Sequence, residues 1–399
     1  MSPDNASTRR DAPDGLPRGE MPALTSIRAL LAWWVVAFHF APSEAFHVHF
    51  DPVLSKGRIA VDCFFVLSGF VLCHVHPAII GSKRPRATAD FLVSRLARIY
   101  PMHLFMLAAF AAVVVSYRMQ HDAGYGAAHG VFTRDTTPAL IRQVLLLHGW
   151  FGADSGAWNV PSWSISSEWG AYLLAPLIFL WLGRIGTASL LAGLGICGVA
   201  VVYFIETGEI LKSGMQLPRV LLEFMIGGLL RTLLAHGAGG LRRIRSAGLW
   251  LAWPVAAGLA FSRHEGVFLV VMVWIMLLLS LRTRRAGGWW RRTERITIYL
   301  GETSFAVYMG HAFILMLWAG KVFPRLQQVH LAHDDAWHRI GYALMLALVV
   351  QGFASALHHG LELPAQSWIR RRFRASAYVT GTAGHHSTGS GMEPSRSGR

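Results

Sequence analysis

Apolar stretches about as long as a bilayer is thick recur along most of this chain. A transmembrane helix needs roughly 20 apolar residues, and backbone in lipid must satisfy its own hydrogen bonds, which favours helices. Only 15% of the residues are charged, whereas a typical soluble domain has about 25%. The sequence predicts an all-α fold, a polytopic membrane helical bundle of about ten transmembrane helices. These predicted spans lie near residues 22–41, 58–76, 101–117, 163–182, 187–205, 217–235, 246–262, 265–281, 296–319 and 338–359.

The distribution of Lys and Arg predicts the orientation of the bundle. With a cytoplasmic N terminus, the inside segments hold 25 of the 37 basic residues and the outside loops 11, as the positive-inside rule requires. We therefore expect both termini in the cytoplasm. The same rule accounts for the net charge of +15, so no nucleic-acid partner is expected.

The polar ends of the chain frame one predicted domain. Residues 1–20 and 375–399 are rich in Ser, Gly, Pro and Arg, so both are predicted to be disordered cytoplasmic tails. Between them we expect a single transmembrane domain, 21–374, without a cleavable secretion signal. The apolar segment 139–151 is too short to span and is predicted to lie in the interface or to re-enter the membrane.

Two ionisable residues lie in the first predicted span, "LTSIRALLAWWVVAFHF". Arg28 and His39 are eleven positions apart, which returns to nearly the same helix face after about 16 Å of rise. A charged group at this depth costs about 3 kcal/mol or more, so it is by default a functional candidate. The alternatives are that Arg28 snorkels to the headgroups and that His39 only packs in the bundle.

Two further predicted spans carry a carboxylate. Asp62 lies in the second span, and we expect Arg28 or His39 as its partner because consecutive spans usually neighbour one another. Glu168 shares one helix face with a serine four residues before it and a tyrosine four residues after it. Each carboxylate is a candidate for acid–base work or for orienting a base, and structural ion pairing is the alternative for each.

Paired arginines precede the third span in "FLVSRLARIYPMHLF". Arg95 and Arg98 are three residues apart on one helix face. Two guanidinium groups on one face suit a phosphate or pyrophosphate. The alternative is ordinary cytoplasmic positive charge.

Other polar residues within the spans support weaker interpretations. Arg219 and Glu223 form an i, i+4 pair and are predicted to be structural. The three cysteines have no metal-ligand spacing, and no metal is expected. Four residues of the last spans keep an open role: Glu302, Tyr308, His311 and Glu362.

An ordered set of motifs resembles the acyltransferase-3 family of integral-membrane O-acyltransferases of bacterial surface sugars and some small metabolites. The motifs are "TSIRALLAWWVVAFHF", "VDCFFVLSGFVL", "RLARIYP", "PSWSISSEW", "LPRVLLEFMIGGLL", "TSFAVYMGH" and "LELP". One departure is visible: relatives usually read "LDGLRA" where this chain has "LTSIRA". The tail after the last span is too short for the fused extracytoplasmic domain that many relatives carry.

The resemblance implies a function and a location. It implies transfer of an acyl group, usually acetyl from acetyl-CoA, to a hydroxyl of a glycan or small molecule, in the bacterial inner membrane. It assigns Arg28 and His39 as the core functional pair and Arg95 with Arg98 to the cytoplasmic acyl-CoA side. On this interpretation His39 deprotonates the acceptor or carries the acyl group itself, while Arg28 holds the donor or stabilises the carbonyl oxygen. Asp62 and Glu168 are expected to orient His39 or the acceptor.

Two other functions fit parts of the pattern. A secondary transporter would use Arg28, His39 and Asp62 as a proton or substrate pathway, although no inverted repeat is apparent in the sequence. A membrane sensor or scaffold would use the same residues as structural ion pairs, and would leave Arg95 and Arg98 without a ligand.

Overall fold

A computed structural model describes residues 21–42, 52–77, 79–80, 85–119, 135–150, 156–209, 214–237, 239–282, 290–329 and 335–383. Every regular element within these ranges is helical, which confirms the predicted all-α fold. The first helices are α1 (Pro22–Phe40), α2 (Pro52–Ser55), α3 (Gly57–Val75), α4 (Pro85–Met119), α5 (Thr137–Val144), α6 (Trp163–Leu182) and α7 (Thr187–Glu206). The later ones are α8 (Gln216–His236), α9 (Gly239–Ala260), α10 (Glu265–Ser280), α11 (Trp290–Glu302), α12 (Ser304–Leu317), α13 (Phe323–Gln328), α14 (Ala336–Leu357) and α15 (Leu363–Ala383).

Seven helical segments within the described ranges are long and apolar enough to cross a membrane. They are Pro22–Phe40, Pro52–Val75, Pro85–Ser116, Val160–Leu182, Thr187–Glu206, Ser304–Gln328 and Trp337–Phe373. The other three predicted spans coincide with α8, α9 and α10, which are helical but charged or short. Helix α8 contains Arg219, Glu223 and Arg231, and α10 has 16 residues. Helix α5 has 8 residues and is too short to span.

Helices α3 and α8 pack against each other along most of their lengths. Their contact depends on Gly69 and Gly227, because a Cβ at Gly69 would lie 2.0 Å from the carbonyl oxygen of Phe224. A Cβ at Gly227 would lie 2.1 Å from the carbonyl oxygen of Val66. Small residues at such crossings let membrane helices approach closely. This contact fixes the position of α3, which carries Asp62 and Ser68.

Helix α1 is held between several partners. It packs against α3, α10, α11 and α12, and its apolar face is buried through Leu24, Leu31 and Val35. Helices α4 and α6 contact each other, and both contact neighbours of α1. The side chains of α1, α3, α4, α6 and α12 therefore meet in the interior of the bundle.

The C-terminal region differs from the sequence prediction. A short π-helical segment, His358–Glu362, joins α14 to α15, and α15 packs along α4. Helix α15 continues to Ala383, so residues 375–383 of the predicted disordered tail are helical. Residues 1–20 and 384–399 lie outside the described residues.

Candidate active site

A cavity of about 140 Å³ lies among five helices of the bundle. Its polar side chains come from all five helices, and apolar residues, mostly of α3, complete the wall. The polar lining residues are Arg28, Ser68, Arg95, Arg98, Ser164, Glu168, Tyr172, Ser304 and Tyr308. Four of the six predicted catalytic or donor-binding residues therefore surround one space: Arg28, Arg95, Arg98 and Glu168.

Glu168 is the hydrogen-bonding centre of this cavity. Its Oε1 accepts one hydrogen bond from Tyr172 Oη at 2.5 Å and another from Ser68 Oγ at 2.7 Å. Tyr172 lies one helical turn after Glu168, as the four-residue spacing predicts, while Ser68 comes from α3. These two bonds hold the carboxylate of Glu168 in one orientation within the cavity.

The charge of the lining is positive. Arg28, Arg95 and Arg98 are half-buried, and Glu168 is the one carboxylate among the described lining residues. The charge of Arg28 interacts unfavourably with Arg98 and favourably with Glu168 and with Glu362, a buried residue outside the cavity lining. Three guanidinium groups facing one carboxylate in a low-dielectric interior are suited to an anionic ligand.

The positive field extends beyond the lining to His76, the residue that follows α3. Burial, followed by the charges of Arg95 and Arg370, lowers the pKa of His76 to about 4. Arg370 lies on α15, which packs along α4. The end of the cavity formed by α4 is therefore its cationic end.

The opposite end of the cavity has hydroxyl groups instead of charges. Ser164 Oγ and Tyr308 Oη lie 2.7 Å apart, and both are 3.0 Å from the carbonyl oxygen of Pro161, so one hydroxyl donates to the other and the second donates to the carbonyl. Ser164 lies two turns before Tyr172 on α6, which corresponds to about 12 Å of rise. The cavity thus runs from arginines to a pair of hydroxyl groups.

His39 lies beyond the hydroxyl end, against His311 of α12. Its Nδ1 is 2.9 Å from the carbonyl oxygen of Val35 and 3.3 Å from Nε2 of His311. His311 is fully buried, and its Nδ1 is 2.7 Å from the carbonyl oxygen of Tyr308. His311 is one turn past Tyr308, so the two histidines continue the row of polar groups. His39 is half-buried and is not part of the cavity lining.

The contacts with carbonyl oxygens favour one tautomer of each ring. A carbonyl oxygen only accepts, so His311 carries its proton on Nδ1, and its Nε2 is an acceptor when the ring is neutral. The one proton on Nδ1 of His39 is then donated to the carbonyl oxygen of Val35 at 2.9 Å, and Nε2 of His311, at 3.3 Å, is the more distant acceptor. The lone pair of neutral His39 is consequently on Nε2, the atom available to take a proton.

Asp62 has a different partner from the one predicted. Arg219 of α8 donates from Nη2 to Oδ1 of Asp62, and its Nε also donates to that oxygen at 2.6 Å. Arg219 is 3.5 Å from Oε1 of Glu223 as well. The expectation of Arg28 or His39 as the partner was wrong, because α3 packs along α8 and presents Asp62 to that helix. Asp62 and Glu223 are fully buried and do not line the cavity.

Three residues have contacts near the site that the sequence does not predict. His311 meets His39, Tyr308 meets Ser164, and Glu362 accepts from buried His358 Nδ1 at 2.8 Å. The three-residue spacing of Tyr308 and His311 placed both on one helix face, but nothing in the sequence identified what that face contacts. Glu302 is exposed. Within the described ranges, no three His, Cys, Asp or Glu side chains are grouped as metal ligands.

This chain is similar to one protein family and to two known proteins. A family model described as "Acyltransferase domain" matches residues 21–359. The chain is 25% identical over 390 residues to Acyltransferase MdmB of Streptomyces mycarofaciens, covering 88% of this chain and 93% of that protein. It is 39% identical over 95 residues to Protein 2 in picA locus of Rhizobium radiobacter, covering 23% of this chain and 44% of that protein. No solved structure matches significantly.

Proposed function

The chain belongs to this acyltransferase family and is a membrane acyltransferase, and from that premise we propose that it moves an acyl group, acetyl in the simplest case, from acyl-CoA to a hydroxyl. The acceptor is a cell-surface or exported glycan, or an exported small molecule. The observation that carries the proposal is the cavity in which Arg28, Arg95 and Arg98 face Glu168 inside the membrane domain. The proposed location is the bacterial inner membrane, with both termini in the cytoplasm.

Donor binding is proposed for the cationic end. CoA carries phosphate and pyrophosphate groups, which forked guanidinium groups bind through two parallel hydrogen bonds. Arg95 and Arg98 come from adjacent turns of α4, and the positive-inside rule puts their end of the bundle on the cytoplasmic side, where acyl-CoA is made. The thioester would then extend towards Glu168 and the hydroxyl end.

The transfer step is proposed to use His39 as a general base. The acceptor oxygen attacks the thioester carbonyl carbon, its proton passes to Nε2 of His39, and the carbon–sulfur bond breaks to release the CoA thiolate, which then takes up the proton. Arg28 stabilises the negative charge that develops on the carbonyl oxygen or binds a CoA phosphate. In the alternative, Nε2 of His39 attacks the thioester carbonyl carbon and the carbon–sulfur bond breaks to release the CoA thiolate. The acceptor oxygen then attacks the same carbon, the carbon–nitrogen bond to His39 breaks, and the proton of the acceptor passes to the thiolate.

The two remaining predicted catalytic residues receive different roles in this proposal. Glu168, fixed by Tyr172 and Ser68, orients the donor arginines or the acceptor hydroxyl. Asp62 maintains the position of α3 through Arg219. His311 holds the tautomer of His39 in which Nε2 is basic.

The experiment compares surface glycans and extracted metabolites by mass spectrometry in a deletion strain and in the same strain complemented with the wild-type gene. The proposal expects a molecule that gains the mass of one acyl group only in the complemented strain. A transporter would change the amounts of a molecule without adding an acyl mass. Identical acylation in both strains would contradict the proposal.

A further inference from the structure

A second, larger cavity lies on the other side of α3 from the arginines. Its volume is about 690 Å³, and helices α7, α8, α9 and α10 form most of its wall. One face of α7 lines it from Thr187 through Leu191, Leu194 and Gly198 to Val202. The cavity therefore runs along the helix axes as a long groove.

The length and polarity of this groove fit a fatty acyl chain. Thr187 and Val202 are fifteen residues apart, which corresponds to about 22 Å along α7 and is a large part of the roughly 30 Å hydrocarbon core. Apolar side chains form nearly all of the lining, and its polar side chains, Thr187 and His236, lie together at one end. A chain-shaped ligand would have its polar group at that end only.

Basic residues continue from this polar end. Helix α9 begins there, and Leu241 lines the groove. The next two residues, Arg242 and Arg243, are exposed. By the positive-inside rule this end faces the cytoplasm, where basic pockets between membrane helices bind anionic lipid headgroups.

We propose that the groove is a binding site for an anionic phospholipid. One acyl chain lies along α7 between α8 and α10, and the phosphate is bound at Arg242 and Arg243. The apolar lining selects the chain, and the arginines select the negative headgroup. This site is separate from the cavity of Arg28 and Glu168, so it does not depend on the proposed acyl transfer.

A filling substitution tests whether the groove holds the chain. Full-length protein would be purified in detergent, delipidated and photo-crosslinked to phosphatidylglycerol carrying a diazirine in its acyl chain, with mass spectrometry of the labelled peptides. We expect crosslinks on α7 and α8 that fall at least tenfold in Gly198→Phe. A Cβ at Gly198 meets no atom within 4 Å, so the new ring enters the groove without a backbone clash.

The matched control is Gly195→Phe on the same helix. Gly195 also has no atom within 4 Å of an added Cβ, but it is exposed and does not line the groove. We expect it to keep the wild-type crosslinks. Equal labelling in Gly198→Phe, Gly195→Phe and wild type would overturn the site.

A charge substitution tests the binding of the headgroup, and it does not depend on whether Gly198→Phe folds. Arg242→Gln/Arg243→Gln should weaken phosphatidylglycerol labelling by roughly fivefold per arginine. Phosphatidylcholine with the same diazirine should label wild type weakly. The control is Arg291→Gln/Arg292→Gln, an exposed pair at the start of α11. Equal labelling by the two lipids, or no effect of the α9 substitutions, would overturn the anionic specificity.

Discussion

Nδ1 of His39 and Nε2 of His311 lie 3.3 Å apart and join α1 to α12 inside the bundle. The carbonyl oxygen of Val35 contacts the same Nδ1 of His39, and that of Tyr308 contacts Nδ1 of His311. A hydrogen bond at one nitrogen of a histidine ring sets which of its two nitrogens is basic. We propose that His311 positions His39, and substitution can separate this role from packing.

The first prediction concerns His311. His311→Phe fills the same space but removes the acceptor, so the acylation rate should fall at least tenfold while the KM for acyl-CoA stays unchanged. His311→Gln retains an acceptor oxygen at a similar reach and should recover part of the rate. The measurement is the initial rate of acyl transfer in membranes with equal protein content. Equal rates for the Phe and Gln variants would indicate that His311 only packs.

The second prediction concerns the donor arginines. Arg95→Ala/Arg98→Ala should raise the KM for acyl-CoA by about tenfold or more, because each charged hydrogen bond contributes roughly 1.5–3 kcal/mol. The control is Arg291→Ala/Arg292→Ala, an exposed basic pair outside the cavity lining. Donor titrations of the two variants are compared with wild type. An unchanged KM would indicate that Arg95 and Arg98 do not bind the donor and only add to the positive charge of the cytoplasmic side.

The third prediction concerns the contribution of the ion pair between Arg219 and Asp62 to stability. Arg219→Gln leaves Asp62 and Glu223 as buried carboxylates without their cation, so we expect a loss of about 3–5 kcal/mol in the free energy of unfolding. Arg219→Gln/Asp62→Asn should be less destabilised than Arg219→Gln alone. Chemical denaturation of the purified protein measures both, with Arg325→Gln, at an exposed site, as the control. Full stability of Arg219→Gln would contradict the structural role.

The fourth prediction is a pH dependence at the cationic end. Between the ordinary histidine pKa of 6.5 and its value of about 4 in the folded protein, His76 takes up a proton in the unfolded chain but not in the folded one. Its contribution therefore lowers stability as the pH falls through 6.5 towards 4. The decrease in thermal midpoint from pH 7 to pH 5 should be smaller in His76→Gln than in wild type. The control His264→Gln, at an exposed site, should show the same decrease as wild type. An equally large decrease in His76→Gln would contradict the stabilising effect of neutral His76.

The helices, and the faces of α4 and α6 that line the cavity, were predictable from local sequence. Apolar segments of membrane length predict helices whatever their neighbours, and the spacing of Ser164, Glu168 and Tyr172 determines one face of α6. The arginine pair follows from the same reasoning, because Arg95 and Arg98 share a face of α4. These predictions depend on helix periodicity alone.

The pairing of helices was not predictable in the same way. Asp62 was expected to contact α1, the helix before its own, but α3 packs along α8 through Gly69 and Gly227 and presents Asp62 to Arg219. The contact between His39 and His311 also joins residues far apart in the chain. Such contacts depend on which helix faces meet, and a single sequence contains no direct measure of that.

We propose that this membrane acyltransferase uses His39 as its base. The most direct measurement is the rate at which isotope-labelled acetyl groups appear on the acceptor, in a deletion strain complemented with wild type, His39→Gln or the control His264→Gln at equal protein levels. A glutamine keeps hydrogen bonding but accepts no proton at neutral pH, so the account predicts a fall of roughly 100-fold or more for His39→Gln and wild-type labelling for His264→Gln. Near wild-type labelling by His39→Gln would contradict the role of His39 as the base.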